Sequence, residues 1–363
     1  MRYRIWLGIR FFIATVFVVS MLSSCATIPT KEFASYKDAF KSARDSSEQV
    51  LVDYAAAKKE EDINKADAAV KELPRDIIRP TNFDPVQVAS DDFKSVDAIE
   101  VRMKAWDVVA RYNDALTLLA EGKSVQEVAA ATEGLIQSLS KFPVKEIGDM
   151  AGQITPYIGV LKAIVSAAEQ ERVRRQFVDA VTQGAPLIEN GMIELLKMDT
   201  LSFYNVRKGL NDLVYSKIRD EITMLSKQYG ELISSCSPNN ELTKLTGEVN
   251  ELRVAADLKE QIKPNYKNLR ACDQSVYTQL LQMKDQIGKG VVDVKNTTKE
   301  LVAYQDMLVA YVKLLNNVSA TLEALRIAVQ DNASLAAPRI EDLIPIVTQL
   351  QTAIQIYRDR KGR

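Results

Sequence analysis

From Leu301 to Val329 apolar residues return alternately every three and four positions, through Tyr304, Leu308, Tyr311, Leu315, Val318, Leu322 and Leu325. This spacing is a heptad seam and predicts a long helix with one apolar stripe. The seam extends back through Val294, Ile287, Met283, Leu280 and Val276, weakened at Thr297 and Gly290. One helix is therefore predicted from about Tyr266 to Gln330, with Gly288 and Gly290 as a place to bend. Phe33, Tyr36, Phe40, Ala43, Val50, Tyr54 and Ala57 keep the same spacing, with Ser47 as the polar exception. A third stripe, on a helix predicted from Asp199 to Leu232, carries Phe203, Val206, Leu210, Leu213, Ile218, Ile222, Leu225 and Leu232. A sustained 3.5-residue repeat supercoils around partners with matching seams. Because the stripes lie on one chain, at high effective concentration, an intramolecular bundle is favoured over a homodimeric coiled coil.

Breakers and caps divide the rest. Pro74 and Pro80 end the first helix, and Arg79–Ser95 reads as an ordered loop. A helix opens near Asp97, with Glu100 placed to reach back to the cap, and ends at Gly122. Ser124-Val125-Gln126-Glu127 repeats the capping signature, and Phe142-Pro143 stops that helix. The next is interrupted at Pro156, and Gly184-Ala185-Pro186 breaks or kinks its successor, because proline lacks a donor and clashes with the preceding turn. Glu241–Lys259 is predicted as a further helix. No run reads as strand. The expectation is an all-α fold, an elongated helical bundle with long coiled-coil-like helices, forming one unit over 33–363 with a hairpin tip at 236–272.

Composition narrows the chemistry. The chain has 47 basic and 48 acidic residues, and loss of Arg2, Arg4 and Arg10 with a cleaved leader leaves a net charge of −4. Charges of both signs are interleaved along every segment, so no basic face is set aside for nucleic acid. There is no histidine, which excludes imidazole triads and the commonest general base. Glu60-Glu61-Asp62 and Ser90-Asp91-Asp92 read as solvated surface. Gly288-Lys289-Gly290 lacks the glycine spacing of a phosphate loop. Trp106 and Tyr112 read as core rather than as an aromatic binding box. The reading is of a non-enzyme with no cofactor.

The N-terminus has the parts of an export signal: Arg2, Arg4 and Arg10, an apolar run from Phe11 to Met21, then Ser23 and Ser24. The run falls short of the roughly 20 residues that span a bilayer. Leu22-Ser23-Ser24-Cys25 resembles the lipobox of bacterial lipoproteins, and residues 1–25 carry that resemblance. It implies that residues 1–24 are a cleaved signal peptide, and that Cys25 is acylated and becomes the first residue of the mature chain. A short lipid tether over 25–32 follows. In such lipoproteins of diderm bacteria an aspartate after the cysteine commonly retains the protein at the inner membrane. Ala26 in that position implies the outer membrane, facing the periplasm.

The remaining cysteines are Cys236 and Cys272. Export to an oxidising space permits a disulfide, which would tie the Asp199–Leu232 helix to the start of the long C-terminal one; two buried free thiols are the alternative. Two cysteines without histidine make a poor metal site. Function then reads as a lipid-anchored scaffold binding an envelope protein, with the clamped tip as the contact point. Two alternatives stand beside it. One is a membrane-active helical protein, motivated by the apolar stretch Ile154–Ala168; the other is a bundle that holds a small ligand.

Overall fold

The computed structural model describes residues 30–72, 94–121, 123–143, 151–166, 170–198, 200–237, 239–258, 261–262, 272–331 and 343–361. The fold is an all-α helical bundle, and among the described residues there is no strand. The helices are α1 (Thr30–Glu72), α2 (Lys94–Ala120), α3 (Val125–Ser140), α4 (Ala151–Val165), α5 (Gln170–Pro186), α6 (Glu194–Lys197), α7 (Thr200–Ser234), α8 (Asn240–Ala255), α9 (Gln274–Asp331) and α10 (Leu343–Lys361). A π-helical segment, Leu187–Ile193, joins α5 to α6.

Packing divides the chain into two compact units. The first comprises Met1–Asp45, Glu100–Lys197 and Leu314–Val347, and the second Ser46–Ile99, Met198–Lys313 and Thr348–Arg363. Each unit is assembled from distant stretches, and α1, α2, α9 and α10 contribute residues to both. Neither is a contiguous domain that a linker could mark in the sequence.

In the first unit Phe40 and Trp106 meet at 5.4 Å, and Val108, Val109, Leu135, Leu139, Tyr157 and Leu161 are buried with them. Ser124 caps α3 in a full capping box: its hydroxyl accepts the Glu127 N–H, and the Glu127 carboxylate accepts the Ser124 N–H. The reciprocal pair satisfies two amides that have no partner inside the helix. Pro156 does not interrupt α4, which runs through it. Gly152 and Pro156 are both exposed, so the carbonyl left without a proline N–H can be hydrated. Ile154, Tyr157, Leu161 and Ile164 form the buried face of α4, while Lys162 and Gly159 are exposed. Over residues 151–165 the apolar stretch thus has one packed face. No described helix is long and apolar enough to cross a membrane.

In the second unit the seam of α9 is buried at Leu280, Ile287, Val294, Tyr304, Leu308 and Tyr311. From residue 303 onward α9 also buries Ala303, Met307 and Ala310, and in the first unit Leu314 and Thr321. A stripe this broad is what a helix surrounded on several sides needs, wider than a two-position coiled-coil seam. Gly290 does not mark a break. A Cβ there would stand 2.9 Å from Ile222 Cγ1, so the glycine lets α7 approach α9 closely. Leu213, predicted on the α7 stripe, is instead 44% exposed. Its neighbours Asp212 and Val214 are exposed too, so over that turn no described element covers α7. Thr297 bonds its own helix, Oγ1 to the Asp293 carbonyl at 2.9 Å. Ser47 is buried and its hydroxyl has no partner.

Candidate functional site

Cys25 and Ala26 lie outside the described residues, as do the predicted loop Arg79–Ser95 up to residue 93 and the stretch 263–271. Cys236 and Cys272 are joined in a disulfide, with Cα atoms 4.6 Å apart and a sequence separation of 36. The segment it closes is built from local rules. Asn239 caps α8 by accepting the Leu242 N–H at 2.8 Å. At the far end the Leu258 N–H reaches the Arg253 carbonyl at 2.8 Å and the Asp257 N–H the Val254 carbonyl at 3.0 Å, with Asp257 at φ 60°. This is a Schellman stop with aspartate in the position glycine usually takes. It ends α8 at Ala255, short of the predicted Lys259.

Asp273 then starts α9, its carboxylate accepting from the Ser275 N–H and hydroxyl. The long helix therefore begins at Gln274 rather than near Tyr266. Leu242, Leu245, Val249, Ile262, Tyr229, Ile233 and Leu280 form the core beneath, with Cys236 buried among them. Lys284 pairs with Glu248 above it. The described residues of 236–272 are stapled by the disulfide and packed on a core of their own.

Two polar clusters were not foreseen from the sequence. In the first unit the α5 backbone passes Pro186 without breaking. It widens into the π segment, where the Glu194 N–H bonds the Glu189 carbonyl five residues back. Between the buried Leu187 and Ile188 and the buried Met192 and Ile193 the segment carries Glu189, half-buried, with Oε1 enclosed and unpartnered. Arg326 on α9 is gripped by Glu323, Nε to Oε2 at 2.6 Å. Burial first, then the Glu323 charge, pushes the Glu189 carboxyl up to about 7, against the pull of Arg326 and Lys197. Glu323 itself is held low by its bond to Arg326. Tyr112 and Tyr157 are fully buried nearby, and burial raises both phenols well above their ordinary range. The available signal was one acid among apolar residues, three places after an internal proline.

In the second unit Arg207 is 6% exposed and pairs with Glu300 while its guanidinium lies 5.6 Å from the Tyr357 ring centre. Lys361 sits over the same ring at 5.8 Å and reaches Asp53 at 3.6 Å. Tyr304 packs on Tyr357 at 5.1 Å, and Tyr54 stacks on Phe203 at 4.0 Å. Asn211 donates to the Thr297 carbonyl at 3.1 Å. Every charge here answers one from another helix, so the cluster fixes the register of α1, α7, α9 and α10.

Beside it, Thr200, Leu201 and Tyr204 of α7 face Gln305, Leu308, Val309 and Val312 of α9 across a groove of about 460 Å³. Its lining carries no charge. Among the described residues no group of three or more His, Cys, Asp or Glu could hold a metal. No protein-family model, curated protein or solved structure matches the chain.

Proposed function

We propose that this is a lipid-anchored, non-catalytic lipoprotein of the cell envelope, held at the outer membrane facing the periplasm, whose helical body is a scaffold for an envelope protein. The observation that carries this reading is Leu22-Ser23-Ser24-Cys25 directly behind the apolar run Phe11–Met21. Two features support it. The Cys236–Cys272 bridge suits an oxidising compartment. Helix α1 opens at Thr30, so only Ala26–Pro29 separate the lipidated cysteine from helical structure, a reach of at most about 18 Å. A body tethered that closely works next to the membrane.

The alternative of a ligand-holding bundle draws on the uncharged groove between α7 and α9, which suits an apolar molecule. The membrane-active alternative has less to draw on, because Ile154, Tyr157, Leu161 and Ile164 of the stretch that motivates it are buried in packing.

The test is to feed cells an alkyne-tagged fatty acid, then crosslink and identify what the native chain and Cys25→Ala capture. Tag on the native chain alone, with one envelope protein captured in a Cys25-dependent way, is the expected result. Absence of tag removes the lipoprotein reading. Tag without a protein partner removes the scaffold, and a co-purifying apolar molecule in its place favours the groove.

A further inference from the structure

We infer that Glu189 is a proton-operated latch in the first unit: its neutral carboxyl lets the π segment Leu187–Ile193 seat in the core, and its ionised form loosens that seat. The inference is independent of the envelope reading and starts from three structural facts.

The segment is π-helical, with one residue more per hydrogen-bonded turn than the flanking α-helix, so the chain there has a second register to relax into. Glu189 is half-buried, and its Oε1 is enclosed and has no hydrogen-bond partner, on a segment whose Leu187, Ile188, Met192 and Ile193 are fully buried. A neutral acid tolerates such a place far better than a carboxylate does. The countercharges around it are already engaged. Arg326 on α9 is held by Glu323 through two nitrogens, and Lys197 on α6 by Glu194 at 2.6 Å. From α2 the facing titratable group is Tyr112, with Tyr157 of α4 behind it at 6.5 Å between ring centres, and burial keeps both neutral. Ionised, Glu189 must compete with Glu323 for one arginine, and two carboxylates on one cation repel.

Glu189 retains its proton in the folded chain up to about pH 7, whereas in the unfolded chain it loses it near the ordinary 4.5. Across that interval the folded state holds a proton that the unfolded state has shed. Stability therefore falls as pH rises from about 4.5 to 7 and levels off above. A single linked proton changes the unfolding constant by up to about tenfold per pH unit in the window. The chain has no histidine, so no imidazole titrates in the same interval.

The experiment follows urea unfolding of the mature chain, from Cys25 onward, by Trp106 fluorescence between pH 5 and 8.5, with hydrogen exchange at Leu187–Ile193 as a local readout. The native chain should lose stability and local protection as pH rises to 7. Glu189→Gln should be flat over that range and, at pH 8, more stable than the native chain. Glu323→Gln, which leaves Arg326 to Glu189, should move the titration down by about one pH unit. The same pH profile in Glu189→Gln as in the native chain would overturn the latch, as would a native chain without pH dependence. If Glu189→Gln fails to fold, an unmoved titration in Glu323→Gln overturns it instead.

Discussion

Replacing Gly184 by alanine puts a methyl group where two buried tyrosine rings already meet α5. In an exposed helix interior the change would stabilise by about 1 kcal/mol, because glycine loses more backbone freedom than alanine. Here the new Cβ would lie 2.5 Å from Tyr157 Oη, 2.6 Å from Tyr157 Cζ and 2.7 Å from Tyr112 Cε2. Both rings are 1% exposed and neither can retreat without moving its own helix. Overpacking at the upper end of its usual range, about 3 kcal/mol, therefore outweighs the helical gain, leaving a loss of about 2 kcal/mol.

The assay is built into the sequence. The chain has two tryptophans, Trp6 and Trp106, and once the predicted leader is removed Trp106 alone reports, from the core of the first unit. With a urea slope of about 2 kcal/mol per molar, the midpoint of Gly184→Ala should drop by about 1 M. Tyr157→Phe removes the nearest atom. The Tyr157 hydroxyl is buried without a partner, so this change alone costs little, and in the double variant it should restore part of the loss. A midpoint that rises in Gly184→Ala would show that helix propensity governs the site and would refute the close-packing argument.

Two further outcomes test the second unit. Removing the disulfide with Cys236→Ser and Cys272→Ser should cost roughly 3 to 4 kcal/mol by the loop-closure argument, seen as lost hydrogen-exchange protection confined to 236–262; loss spreading along α9 beyond Val294 would contradict a local staple. Glu300→Ala leaves the buried Arg207 uncompensated and should cost about 3 kcal/mol, read by exchange of α7 and α9 amides, whereas Arg207→Met with Glu300→Leu should recover most of it; a loss below about 1 kcal/mol in the single variant would mean that the ring of Tyr357 alone satisfies the guanidinium.

Much of the fold is legible residue by residue. The seam positions Leu280, Ile287, Tyr304, Leu308, Tyr311, Leu315 and Val318 are buried as their spacing predicts, because one face of a helix must be dry and the 3.5 repeat says which. Ser124 and Glu127 cap α3 as read, since capping needs only four consecutive residues. Pro156 misled for the opposite reason, and the close approach at Gly290 was not visible. What a proline or glycine does to a helix depends on what stands opposite it: solvent beside Pro156, and Ile222 beside Gly290.

The sequence by itself determined the all-α class, most of the buried faces, the cap of α3 and an N-terminus with the form of a lipoprotein signal. These rest on spacing and on contacts within a few residues. Only the tertiary structure decided that Cys236 meets Cys272, that Arg207 finds Glu300 and Tyr357, that one oxygen of the half-buried Glu189 is enclosed without a partner, and that packing divides between two units each made of distant stretches. Those outcomes depend on which helix lies beside which. Periodicity states that a face will be covered, but the identity of the cover is set by the simultaneous packing of all the helices.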